Sequence, residues 1–127
     1  MKNNIVGWFE IPVTNMERAI AFYEEVFDIT LDRNQMGPLD MAWFPYIEGA
    51  YGSGGSLVYH EQFYKPSADG VVVYLTALTG DLDNELAKVE DAGGTVLQHK
   101  TKISDEHGFM AVILDSEGNR IALHSRE

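Results

Sequence analysis

With 127 residues, 45% of them hydrophobic, the chain is long enough to bury a core, whereas either half alone would be marginal. Nine basic residues against twenty acidic ones give a formal net charge of -11, which repels phosphate backbones and offers no basic stripe to anionic lipid; neither nucleic acid nor membrane is expected as a partner. The chain has no cysteine, which excludes disulfides and thiolate sites, and Met1 to Ile5 carry no long apolar signal region, so a cytoplasmic protein is the expectation.

The first apolar run, Trp8 to Val13, predicts a strand that leads through Thr14 and Asn15 into a helix. Asn15 suits the N-cap, because its side-chain oxygen can accept from an unpaired amide of the first turn. Met16, Ala19, Ile20, Tyr23, Val26 and Phe27 then recur at three- and four-residue spacing and define a buried stripe. Three further strands are expected at roughly 29–34, 40–47 and 55–61, with turns at Met36-Gly37-Pro38 and through the glycines between Gly49 and Gly55. That glycine-rich loop is flanked by Trp43, Phe44, Tyr46 and Tyr51. It is no phosphate loop, since no lysine follows it and it enters a strand; it reads as a strand connection or as a lid over an aromatic cavity.

After the linker Tyr64 to Gly70 the pattern repeats. Val71 to Ala77 form a strand, Asp81 opens a helix that turns Leu82, Leu86 and Val89 inward, and Gly93-Gly94 end it. Strands follow at roughly 95–103, 108–114 and 120–125. The acidic positions Glu24, Glu25, Glu85, Glu90 and Asp91 read as solvated helix surface. The fold class is therefore α+β: two βαβββ modules, about residues 5–63 and 70–125, within a single domain of residues 1–127, with mixed curled sheets around a shared cavity.

The two modules, the opening Phe9 to Val13 with its helix Met16 to Phe27, the stretch Lys88 to Val96 and the closing Asp115-Ser116-Glu117-Gly118-Asn119-Arg120-Ile121 together resemble the vicinal oxygen chelate superfamily. It contains glyoxalase I, extradiol dioxygenases, fosfomycin-resistance enzymes and bleomycin-resistance proteins. The resemblance covers essentially the whole chain, although the closing turn usually has proline where Ser116 stands. It implies that a divalent cation, where present, would sit on His, Glu or Gln side chains of the first and last strands of the modules. Those positions fall here on Trp8, on or near Val72, on or near Ser56 or Val58, and on Ala122, none of which replaces an imidazole or a carboxylate. The resemblance thus implies a metal-free cavity for a small, uncharged or cationic organic molecule, like that of the bleomycin-resistance branch, with no cofactor. Trp8, Glu10, Trp43, Val58, Tyr74, Ala122 and His124 are the candidate ligand-binding residues.

Two other chemistries remain open at this point. Glu10, assisted by His124 or Tyr74, could serve as the general base of a lyase or isomerase. Moving two residues along each strand keeps the same face and reaches Glu10, His60, Tyr74 and His124, a displaced polar or divalent-metal site. A further alternative is a structural or regulatory homodimer whose cavity is filled by Trp8 and Trp43. His107 could border a cavity mouth, and His99 reads as solvated.

Overall fold

A computed structural model describes residues 2–127. The chain folds as two βαβββ modules, and each module forms one four-stranded mixed sheet. The first comprises β1 (Trp8–Pro12), α1 (Met16–Phe27), β2 (Asp32–Met36), β3 (Leu39–Trp43) and β4 (Gly54–Tyr59). The second comprises β5 (Val73–Thr76), α2 (Leu82–Val89), β6 (Thr95–Ser104), β7 (Gly108–Leu114) and β8 (Arg120–Ser125). The strand orders are β1-β4-β3-β2 and β5-β8-β7-β6. In each sheet the first strand pairs in parallel with the last, and the other pairs are antiparallel. Among the described residues no helix is long and apolar enough to cross a membrane.

Both helices begin as their caps predict. The Asn15 side chain accepts the Arg18 amide at 3.0 Å, and the Asp81 carboxylate accepts that of Asp83, also at 3.0 Å. Helix α1 ends at Asp28, whose φ of 54° is left-handed, a conformation that aspartate adopts more readily than most residues. The predicted stripe is buried at Met16, Ala19, Tyr23, Val26 and Phe27, with Phe22 beside it. Leu82, Leu86 and Val89 face inward on α2, as expected.

Glu85 departs from the sequence expectation. Its side chain is buried, because its carboxylate accepts the Thr79 hydroxyl at 2.8 Å and the Thr79 amide at 3.3 Å, and so ties down the turn that enters α2. The strand boundaries shift for local reasons. Strand β3 stops at Trp43 instead of reaching residue 47: Phe44 makes one last bond, its amide to the Gly55 carbonyl, and Pro45 has no amide to continue the ladder. Strand β5 begins at Val73, since Val71 is almost wholly exposed.

One face of each sheet packs under the helices. Ile11, Ala42 and Leu57 of the first sheet and Ala111, Ile113, Ile121 and Leu123 of the second join the helix stripes in one hydrophobic core. The helices also pack on each other, which joins the modules. Gly94 marks the closest approach. A Cβ there would stand 2.5 Å from the Leu114 carbonyl oxygen and 2.6 Å from the Phe22 ring, so only glycine lets the first module's helix seat against the second sheet.

A polar clasp fastens the same boundary. The Glu117 carboxylate, whose side chain is fully covered, accepts the amides of Thr14 (2.9 Å) and Asn15 (2.8 Å) and the Arg18 guanidinium (2.7 Å). Burial alone would raise the Glu117 carboxyl; Arg18 and the two amides outweigh it and hold it at about 2. Beside it, the Tyr23 hydroxyl donates to Asp115 at 2.6 Å, and the Asn119 amide group donates to the Pro12 carbonyl (2.8 Å) and to Asp115 (3.1 Å). Burial, and then the Asp115 charge, push the Tyr23 phenol well up, so it remains a donor.

Candidate functional site

Strand residues alternate between faces, so placing Ile11, Leu57 and Ala42 under α1 turns their neighbours to the other side of the sheet. The register there aligns Glu10 with Ser56 and Ser56 with Trp43, one continuous row across β1, β4 and β3. Trp8 sits two pairs earlier, opposite Gly54, on the same face. The missing side chain at Gly54 makes room for it: a Cβ would lie 3.2 Å from the Trp8 ring and 3.1 Å from that of Tyr46. The Trp8 and Trp43 rings meet edge to face, with centroids 5.6 Å apart.

Glu10 is exposed and engaged. It accepts the Tyr64 hydroxyl at 2.6 Å and, at 3.4 Å, the Trp8 indole N–H. The bond to this carboxylate raises the Tyr64 phenol and keeps it protonated. The linker residue Tyr64 thus reaches back onto the first sheet. No periodicity marks it, and sequence reasoning passed over it.

On the second sheet the corresponding row runs Tyr74, Ala122, Val112. Tyr74 is more than half exposed, and Ala122 is buried. His124 donates its Nε2 proton to the His107 carbonyl at 2.5 Å, while the His107 ring pairs with the Ser104 hydroxyl at 2.8 Å. His60 accepts the amides of Gln62 and Phe63 at Nδ1 and stacks on the Phe63 ring.

A cleft of about 860 Å³ is lined by both modules, well above the roughly 300 Å³ at which typical ligand pockets begin. Its walls come from the approach to β1, from β5 and its approach, and from the long segment between β3 and β4. Trp8, Tyr46, Tyr51 and Tyr74 supply aromatic surface, and among the described residues no Asp, Glu, Lys, Arg or His lines it. Around it Ile5, Val71 and Tyr51 are at least 92% exposed, an apolar rim on a strongly acidic protein. Of the residues named from sequence, Trp8, Phe44, Tyr46, Tyr51, Val72 and Tyr74 are brought together here. Glu10, Trp43, Val58, Ala122, His60 and His124 lie outside the lining. Ile5, Val6, Val71 and Leu78 were missed; their signal is apolar side chains left exposed just outside the ends of β1 and β5.

The donor set at the superfamily's usual metal positions does not fit a divalent cation: an indole, aliphatic side chains and at most one hydroxyl offer no imidazole or carboxylate. Among the described residues no three or more His, Asp or Glu side chains come together in a way that could hold a metal ion.

The comparisons agree with this architecture. The sequence pattern of the Glyoxalase/Bleomycin resistance protein/Dioxygenase superfamily matches residues 5–123, and the chain belongs to that superfamily. No curated protein matches. Among solved structures, TnmS3, an antibiotic-binding protein from Streptomyces sp. CB03234, is 23% identical, with 100% of this chain and 99% of that one covered and a TM-score of 0.65. A glyoxalase/bleomycin resistance protein from Albidiferax ferrireducens is 15% identical over 98% of this chain and 100% of that one, with a TM-score of 0.72. Glyoxalase I from Zea mays is 15% identical with a TM-score of 0.65; 94% of this chain is covered but only 45% of that one, so the chain spans a little under half its length.

Proposed function

We propose that the protein binds a small, flat, uncharged or cationic organic molecule in the cleft between its modules, without a metal and without changing it. The observation that carries this reading is a cleft of about 860 Å³ with exposed aromatic walls and, among the described residues, no ionisable side chain other than tyrosine in its lining. An apolar slot flanked by rings takes up a planar ligand by area burial and stacking. Carrying -11 overall, the protein attracts cations and repels anions at long range. The antibiotic-binding neighbour TnmS3 supports a small-molecule ligand of this kind.

The test is isothermal titration against a panel of planar aromatic compounds that are neutral, cationic or anionic, with the ligand recovered and weighed by mass spectrometry. Saturable binding of neutral or cationic members, returned unchanged, is expected. A chemically altered product that disappears in Glu10→Gln, with binding retained, would establish acid-base catalysis instead. The apolar rim of Ile5, Tyr51 and Val71 is the surface we assign to a second copy of the chain. Sedimentation velocity should show a dimer, and a monomer at high concentration would refute it.

A further inference from the structure

On the sheet face that carries the cleft residue Trp8, two buried polar atoms have no hydrogen-bond partner among the described residues: the Trp43 indole Nε1 and the Ser56 hydroxyl. Both are essentially shielded from solvent, and the two residues are direct cross-strand partners in the β3–β4 register. They therefore stand side by side on the sheet face that also carries Trp8 and Glu10. Leaving either group unpaired is costly, and two neighbouring instances on the face beside a cleft point to one missing partner.

The chemistry of the pair defines that partner. Indole N–H only donates, whereas a serine hydroxyl donates or accepts. One atom able to accept from both is a neutral oxygen with two lone pairs. An anion is disfavoured, since Arg18 and Arg33, on the same module, are committed to Glu117 and to Asp40 and Glu17. A carbonyl oxygen on a flat ring system meets the requirement.

The geometry points to a carbonyl-recognising subsite made of Trp43 Nε1 and Ser56 Oγ, opened when the Trp8 ring swings aside. Trp8 is suited to that movement. Its ring lines the cleft, is 44% exposed, and is held by an edge contact to Trp43 and a long 3.4 Å hydrogen bond to Glu10. The cleft thus takes the apolar body of the ligand, and the subsite selects those that carry a carbonyl at one end. This deepens the reading of the cleft as a ligand site and rests on it.

Chromone and naphthalene, flat bicycles of similar size with and without a carbonyl, are the probes. They are titrated calorimetrically into the wild-type protein and into Ser56→Ala and Trp43→Phe, with circular dichroism and a melting curve verifying that each variant is folded. The wild type is expected to favour chromone by about tenfold or more, the effect of one to two well-made hydrogen bonds. Ser56→Ala and Trp43→Phe should each cut that preference to about threefold or less while leaving naphthalene binding within about twofold. Ser56→Ala, the smaller change, decides the matter if Trp43→Phe fails to fold. Binding of naphthalene with no preference for chromone, or a preference that survives Ser56→Ala, overturns the subsite and leaves the cleft reading standing. Binding of neither probe overturns both.

Discussion

The connections between the last two strands of the two modules occupy equivalent places in the repeat and do opposite things. In the second module, residues 115–119 between β7 and β8 form a short turn whose polar groups reach into the first module: Glu117 to Thr14, Asn15 and Arg18, Asn119 to Pro12, Asp115 to Tyr23. In the first module, residues 44–53 between β3 and β4 form a longer, aromatic and glycine-rich segment that becomes one wall of the cleft. The boundary between the modules is thus fastened at the end of β1 and open near its start. A repeat of one supersecondary unit is made asymmetric by the chemistry of one loop, with the polar clasp at one end and the cleft at the other.

The largest effect should come from breaking the fastened end. Asp115→Ala removes the acceptor of the buried Tyr23 hydroxyl and of the Asn119 amide group, and should cost about 3–5 kcal/mol in denaturant unfolding. Glu117→Gln should cost less, about 1–3 kcal/mol, because its Arg18 partner is half exposed. The same residue sets a pH dependence. Its carboxyl is held at about 2 in the folded chain, below its ordinary 4.5, so its contribution is complete above pH 4.5 and is lost as the pH falls toward 2. The slope of stability against pH in that window should flatten in Glu117→Gln relative to wild type.

At the open end the pattern should reverse. Trp8→Ala and Tyr74→Ala should each weaken ligand binding by about tenfold or more while changing stability by less than about 1 kcal/mol, since both rings are about half exposed. Tyr51→Ala, fully exposed on the loop, should move stability by no more than about 0.5 kcal/mol and binding by about threefold. Calorimetric titration beside chemical denaturation checks all three. If losses of stability and binding rose together at both ends, the division between clasp and cleft would be wrong.

Most of the fold was legible in the sequence, because it rests on short-range signals. The caps at Asn15 and Asp81, the stripe from Met16 to Phe27 and the glycine pair Gly93-Gly94 each act within one turn of helix, and the structure carries them as read. The repeat then set the order of elements along the chain in both modules, while the order of strands within each sheet came only with the structure. What escaped was long-range pairing of polar groups. Nothing local distinguishes Glu117 from any other turn acid; it takes a partner about a hundred positions away to show that it is a clasp. Tyr64 was missed for the same reason, since its partner Glu10 stands on β1, 54 positions earlier. Glu85 was misjudged on a shorter range, because its partner Thr79 lies in the turn that enters α2, outside the helix pattern.

The site was legible in part. The repeat matches Trp8 with Val72 and Glu10 with Tyr74; Trp8, Val72 and Tyr74 line the cleft, and Glu10 does not. Glu10 and His124 looked like a possible pair on strand faces, but their hydrogen bonds run to Tyr64 and Trp8 in one case and to the His107 carbonyl in the other. The apolar rim at Ile5 and Val71 lies in approach segments without periodicity, where sequence patterning has no purchase.

The most direct test of the cleft is calorimetric titration of the wild-type protein with chromone and with chromone-2-carboxylate, the same ring system with and without a negative charge. The account predicts saturable one-to-one binding of chromone and binding of the carboxylate weaker by about tenfold or more, given the uncharged lining and the net charge of -11. No saturable binding of chromone, or a carboxylate that binds equally well, would contradict it.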